Sequence, residues 1–313
     1  MNANSDATPQ PDAAPKRGRR YWLRLLRIFV VALVAALVLV PLLFGGMMMW
    51  GLLHPGCNVG SAPAVAYETV TFPSTRGVTQ QGYFVPGTNG GTVIVVPAYG
   101  NGHGGESYFV DVLNGAGFNV LTLDARVCTN YGHLTLGYVE VEDVQAAYDY
   151  LLTRDDVDPE RVNLHGFSSA GSTSIMAAAR IPQIRGVAAM GGYWDFAQGS
   201  LGLGQSGTYF DTLFKWGQVI TYRLTTGEDI ANLSPISVID EIAPRPILLI
   251  YGEFDPALDG ARRMRQIAAD AGSGDGAEFW EVEGAGHGGY WQVAPEEFER
   301  RVIEFHSRVL VEG

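Results

Sequence analysis

The 313-residue chain predicts an α/β fold: a mostly parallel central sheet with helices on both faces, one N-terminal transmembrane helix before it and a lid insertion within it. Three observations carry this. From residue 67 onward, short apolar runs alternate with longer stretches of helical periodicity. Ahead of them lies an uncharged run of 26 residues, 28–53, reading IFVVALVAALVLVPLLFGGMMMWGLL. Between 193 and 235 the alternation stops. A hydrophobic content of 47% suffices for one large core, so 58–313 reads as a single soluble domain.

The first 27 residues form a basic tail, with six Lys or Arg against two acids; residues 1–20 are polar and without periodicity, and are expected to be disordered. The run 28–53 is long enough to cross a bilayer with some tilt, and Pro41 is a place for a kink. Trp22 and Trp50 flank it as interfacial anchors. Basic residues precede the run, and none follows until Arg76. The positive-inside rule then puts the tail in the cytoplasm and the domain outside, at the cell membrane. A cleaved signal peptide is the rival reading, since Ala62-Pro63-Ala64 offers small residues. The run is far longer than the ~7–15 apolar residues of such a peptide. Lipoprotein cleavage at Cys57 lacks the apolar-small-small lead, because His54-Pro55-Gly56 precedes it.

Beyond residue 27 the chain carries 15 basic and 31 acidic residues, a net of −16. Such a surface repels phosphate backbones, which argues against nucleic acid as a partner. Two cysteines, Cys57 and Cys128, exclude a disulfide-rich scaffold and any C-x-x-C site. In an oxidising exterior the two could pair, although spacing alone does not establish the link. The six histidines form no H-E-x-x-H, so no metal or organic cofactor is implied.

The elements follow in order. Residues 67–72 and 78–86 read as strands around a 74–77 turn, an antiparallel opening pair. The run 92–97 is apolar throughout, hence a strand buried on both faces. A helix at 106–116 leads to a second buried strand at 119–124. Residues 136–153 have helical periodicity in Tyr138, Val141, Val144, Ala147, Tyr148 and Leu151. Strand 161–166, helix 169–180 and strand 184–190 come next. The insertion 193–235 starts Gly-rich and turns aromatic, as lids and binding loops do. Strand 246–251, helix 258–271, strand 278–282 and helix 294–311 complete the pattern.

Chemistry gathers at three loops that follow strands. Gly166-Phe167-Ser168-Ser169-Ala170 is a G-x-S-x-A turn from strand to helix, one methyl from G-x-S-x-G. Such a turn pushes its serine out of the backbone, whereas the bland reading is a serine helix cap. A hydroxyl nucleophile needs a base, and the base an orienting acid. Asp255 follows the strand ILLIYGE, and His287 sits in Gly-Ala-Gly-His-Gly-Gly after FWEVEG. In a parallel sheet all three loops reach one rim. Ser169 competes with Ser168 but would put Phe167 where a small residue is wanted; Glu253 and Asp195 compete with Asp255. His103, in the glycine-rich loop 100–105, reads as solvated, and His165 as structural.

With those motifs, in that order, the soluble part from about residue 67 to 310 resembles the α/β-hydrolase superfamily of serine hydrolases. The stretch Leu134–Tyr138 with Glu142-Asp143-Val144 is similar to membrane-anchored esterase- or peptidase-like branches. The resemblance implies an α/β-hydrolase fold with Ser168 as nucleophile, His287 as base and then acid, and Asp255 orienting His287. It implies an oxyanion hole from the N–H groups of Ser169 and of Tyr99, with Ala98 as the other candidate for the second donor. Two departures stand out: Pro97-Ala98-Tyr99-Gly100 where His-Gly is usual, and Ala170 for the last glycine. The implied activity is cleavage of a small acyl ester or lipid-like substrate. A peptidase, a lipase or a silent tethered binding module are the competing readings.

Overall fold

The computed structural model describes residues 18–312; residues 1–17 of the expected disordered tail lie outside the described residues. Eight strands form the central sheet: β1 (Glu68–Pro73), β2 (Thr79–Val85), β3 (Thr92–Val95), β4 (Asn119–Thr122), β5 (Val162–Phe167), β6 (Val187–Met190), β7 (Ile247–Gly252) and β8 (Ala277–Val282). Their order across the sheet is β1-β2-β4-β3-β5-β6-β7-β8. β1 with β2 and β2 with β4 are antiparallel, and every later neighbour is parallel. The mostly parallel sheet is therefore as expected. β3, β4, β6 and β7 are buried at every position, which is why their residues are largely apolar. Edge strand β1 alternates instead, burying Val70 and Phe72.

Helices cover both faces. In chain order they are α1 (Arg19–Leu53), α2 (Ser107–Gly115), α3 (Glu140–Leu151), α4 (Ser169–Arg180), α5 (Tyr209–Thr226), α6 (Leu258–Ala268), the single turn α7 (Tyr290–Val293) and α8 (Pro295–Leu310). α2 and α8 bury Phe109, Leu113, Phe298, Val302 and Phe305 on one face. α3, α4 and α6 bury Val144, Leu151, Ile175 and Met264 on the other.

The apolar run 28–53 is the larger part of α1, which starts nine residues earlier at Arg19 and passes through Pro41 unbroken. α1 is not free-standing. Gly45, Met49 and Leu53 are buried, and Leu53 C=O accepts a bond from Leu134 N–H at 2.8 Å. Its neighbour is α5, the longest helix within the 193–235 insertion. Thr208 caps the start of α5 by accepting from Asp211 N–H, and Gly227, at φ 78°, ends it. The two backbones nearly touch. A Cβ on Gly217 would lie 2.0 Å from Leu42 C=O, and one on Gly45 2.0 Å from Phe214 C=O.

The loop 100–105 departs from expectation. Asn101–Gly104 pairs in parallel with Asn58–Gly60 of the segment that follows α1. His103 in that strand is buried, not solvated: its ring lies 4.5 Å from that of Tyr83, and its Nδ1 is 2.7 Å from Asp124 Oδ1. A Cys57–Cys128 disulfide closes the same junction. His165 is structural, as read: its Nδ1 lies 3.3 Å from His306 Nε2, and Asn163 Nδ2 donates to His306 Nδ1 at 3.0 Å.

Two outcomes follow. Gly217→Ala pushes a methyl into the carbonyl of Leu42, so unfolding is expected about 1–3 kcal/mol easier, read as a lower Tm. Burial lowers His165 to about 3 and His306 well below its usual value, so both are neutral when folded. The unfolded chain protonates them near pH 6.5. Stability from this pair is full above that pH and is lost as pH falls toward the folded values. The Tm should drop between pH 7 and 5, by on the order of 2 kcal/mol of stability per histidine, and less steeply in His165→Gln.

Candidate active site

Ser168 sits between the end of β5 and the first residue of α4 with φ 57° and ψ −127°, a backbone region that L-residues rarely adopt. Two features hold it there. Ser168 N–H donates to Met190 C=O on β6 at 2.7 Å. Strand and helix also close tightly: a Cβ on Gly166 would lie 2.4 Å from Ala170 C=O and 2.5 Å from Ser174 Oγ. Ala170, the departure from glycine, is buried without displacing the turn. The strained turn leaves the side chain of Ser168 projecting from the rim.

Ser168 Oγ lies 3.0 Å from His287 Nε2, and His287 Nδ1 lies 3.0 Å from Asp255 Oδ2. The three sequence-derived residues therefore form one hydrogen-bonded chain. The carboxylate of Asp255 is fully buried, while the imidazole is 45% exposed and open to a reactant. Asp255 is well supplied with donors: Ala257 N–H reaches Oδ1 at 2.8 Å and Tyr290 O–H reaches Oδ2 at 3.1 Å. Burial first, and then the charge of Asp255, push the Tyr290 hydroxyl far above the usual tyrosine range, so it remains a donor. The ring of Phe167 lies 5.5 Å from that of His287, along one side of the base. Gly191 is a glycine by necessity, because at φ 58° a Cβ would meet Tyr290 Oη at 2.6 Å and His287 Cε1 at 3.3 Å.

The rival acids have other work. Exposed Glu253 accepts Gly284 N–H at 2.9 Å and pins the turn ahead of His287. Asp195 is buried, caps the 196–200 turn through Gln198 N–H and accepts from Ser234 O–H at 2.8 Å. Ser169 is not bonded to His287; its Oγ accepts the N–H of Tyr99 at 3.0 Å. The two residues expected to supply oxyanion donors are thus brought together, with the hydroxyl of Ser169 held on the Tyr99 N–H. Ala98 N–H, the other candidate donor, is bonded to Glu106 Oε1 at 3.1 Å.

Sequence reasoning missed Tyr290 and Glu106. Glu106 precedes α2 and accepts from Ala98 N–H and Asn101 Nδ2, so it shapes the loop that carries Tyr99. Burial raises its carboxyl, which those two donors oppose. Tyr290 is three residues past His287, and its only sequence signal is that nearness. Beside Ser169, a small cleft is lined by Pro97, Tyr99, Leu134, Leu136, Gly137 and Thr173. Burial pushes the Tyr99 hydroxyl up to about 12. Among the described residues no group of three or more His, Cys, Asp or Glu is placed to hold a metal ion.

The pattern of the prolyl oligopeptidase family matches residues 106–312. The chain belongs to the prolyl oligopeptidase family. Ser168, Asp255 and His287 lie inside the matched segment and Tyr99 outside it. Among solved structures, Pyrococcus furiosus esterase Pf2001 is similar at TM-score 0.66 and 21% identity, over 82% of this chain and 99% of that one. Pyrococcus horikoshii acylaminoacyl peptidase is similar at TM-score 0.60 and 16% identity, over 79% of this chain and 42% of that one. At these identities the likeness shows the α/β-hydrolase fold alone. The uncharacterized protein YfhR of Escherichia coli O157:H7 is 24% identical over 197 residues, 60% of this chain and 63% of that protein. The match thus spans just under two thirds of that relative's length.

Within this prolyl oligopeptidase-family site, Tyr290→Phe removes one of the donors that hold Asp255. The variant should keep its fold by circular dichroism and lose roughly tenfold in hydrolytic rate, since a hydrogen bond to a charge is worth about 1.5–3 kcal/mol.

Proposed function

We propose that this chain is a membrane-anchored serine hydrolase that cleaves carboxylic esters or related acyl bonds through an acyl-enzyme. The observation that carries the reading is the unbroken Ser168–His287–Asp255 hydrogen-bond chain on one rim of the sheet. Ser168 Oγ attacks the acyl carbon while His287 Nε2 takes its proton. The resulting tetrahedral oxyanion is met by the N–H of Ser169, at the start of α4, and by the N–H of Tyr99 once Ser169 Oγ gives it up. The intermediate collapses as the His287 proton passes to the leaving oxygen. Water, deprotonated by His287, then attacks the acyl-enzyme; His287 returns that proton to Ser168 Oγ as the acyl–oxygen bond breaks and the acid leaves, which restores both residues. Asp255 keeps the imidazole in one tautomer and orientation and stabilises the imidazolium.

The location is part of the proposal. α1 has a mean hydropathy of 3.0 over its best span and its basic residues at the start, so it anchors the chain with the domain outside the cytoplasm. The Cys57–Cys128 disulfide supports an oxidising exterior. A peptidase is the second reading, favoured by the family match.

The test uses the full chain in detergent, with a panel of short acyl esters and aminoacyl amides and a fluorophosphonate probe. Ester turnover above amide turnover supports the esterase; the reverse promotes the peptidase. Ser168→Ala should lose labelling and at least about 1,000-fold in rate. Ser169→Ala should stay within about tenfold, because its role is carried by the backbone N–H. Unchanged turnover in folded Ser168→Ala would sink the assignment, and a folded, probe-silent wild type would favour a binding module.

A further inference from the structure

The outer face of α5 is apolar where a water-facing helix carries polar residues. Tyr209, Phe210, Trp216, Ile220 and Leu224 are exposed, Leu224 to 81%. Four of them, 209, 216, 220 and 224, recur at helical spacing and form one stripe. Exposed Thr212 and Arg223 flank only one edge of it. Lys215 is turned away: it pairs with Asp211 at 2.8 Å and donates to Gly202 C=O at 2.9 Å.

This stripe is continuous with the surface of α1. The close approach at Gly45 and Gly217 sets the helices side by side. A cleft of about 500 Å³ runs along their seam, lined by Leu42, Leu43, Met47, Trp50, Ile220 and Leu224. Depth then follows from helix geometry. The uncharged run begins at Ile28, so Gly45, 17 residues on, lies roughly 26 Å along the axis at 1.5 Å per residue. The hydrocarbon core is about 30 Å thick. If α1 spans, its contact with Phe214 and Gly217 therefore lies within the outer leaflet.

We infer that α5 is a second membrane element: its Tyr209–Leu224 stripe and the α1–α5 cleft face the acyl chains of the outer leaflet, so the lid insertion is held in lipid. The inference rests on the anchor reading of α1. It also gives the hydrolase a direction. Tyr222, on the inner side of α5, donates to Thr135 C=O at 2.9 Å. Thr135 lies between Leu134 and Leu136, which line the cleft beside Ser169. The wall of that cleft is thus one side chain away from the lipid-facing helix, and lipid-borne acyl esters are the substrate class presented to it.

The experiment uses the full chain in phosphatidylcholine–phosphatidylglycerol vesicles. Cys57 and Cys128 are bonded to each other, so one introduced cysteine takes one environment-sensitive fluorophore. The labelled variants are Ile220→Cys, Leu224→Cys, Leu33→Cys on α1 and Asp259→Cys, whose side chain is 93% exposed on α6. The expected result is quenching of labels 220, 224 and 33 by spin-labelled lipid, about twofold or more, with little effect of aqueous iodide, and the reverse at 259. Labels 220 and 224 that follow 259 while 33 is quenched would overturn the inference and leave the anchor standing. Labels at 220 and 224 shielded from both quenchers would mean a protein partner, such as a second copy, and would overturn it as well. An unquenched label at 33 would remove the anchor itself and the inference with it.

Discussion

The site depends on parallel strands that end at one level. β5, β6, β7 and β8 pair in continuous register, with Phe167 opposite Met190, Met190 opposite Ile250, and Tyr251 opposite Glu281. Each chain leaves the sheet at the same edge, so three loops separated by as many as 119 residues arrive within hydrogen-bonding reach. Parallel pairing has a cost. It needs crossover helices, and it leaves the loops alone to set the last ångströms of geometry. Here the loops are fixed by backbone hydrogen bonds. Ser168 N–H is held by Met190 C=O, Gly191 N–H by Ile250 C=O, and Phe254 N–H by Ala285 C=O. The strain at Ser168 is sustained by these neighbours and by the Gly166–Ala170 contact, which a larger residue would break.

That logic explains what the sequence made legible. Apolar runs mark doubly buried strands because a parallel sheet with two covered faces admits polar side chains only where they find a partner, as Asn163 and His165 do at His306. Glycines around Ser168 and His287 mark turns whose backbone must pass close to something. Ser168, Asp255 and His287 could therefore be read as a set before any distance was known. Tyr290 and Glu106 could not, because each acts through a partner chosen by three-dimensional placement: Asp255 for one, the 97–101 loop for the other. His103 was misread for a related reason. A glycine-rich loop signals solvent only when it is unpaired, and here it pairs with Asn58–Gly60 while His103 packs against Tyr83 and Asp124. The role of Ser169 was also hidden. Nothing in the sequence pattern indicates that its hydroxyl takes the N–H of Tyr99.

The insertion is the other place where periodicity gave half an answer. Its aromatic and apolar residues marked it as a surface that binds something. They did not say that its inner side would meet α1, because that depends on glycines in two segments far apart in the chain. Gly45 and Gly217 have no pattern in common until the helices lie together.

Two connections run from the end of α1 toward the site. Leu53 C=O accepts Leu134 N–H, and Leu134 and Leu136 form part of the cleft beside Ser169. Four residues after Leu53 the chain enters the Cys57–Cys128 bond and then the ladder to Asn101–Gly104, which starts two residues past Tyr99. Asn58 N–H donates to Gly100 C=O at 2.8 Å, and a Cβ on Gly100 would lie 2.4 Å from Gly56 C=O. The junction therefore leaves little room between the end of α1 and the loop bearing a proposed oxyanion donor. A simple tether would need only a flexible linker to keep an enzyme near a surface. A short, disulfide-closed, hydrogen-bonded junction does more: it fixes the rim that carries Ser168 at one angle to α1. In a bilayer, that angle would decide whether the rim faces water or lipid.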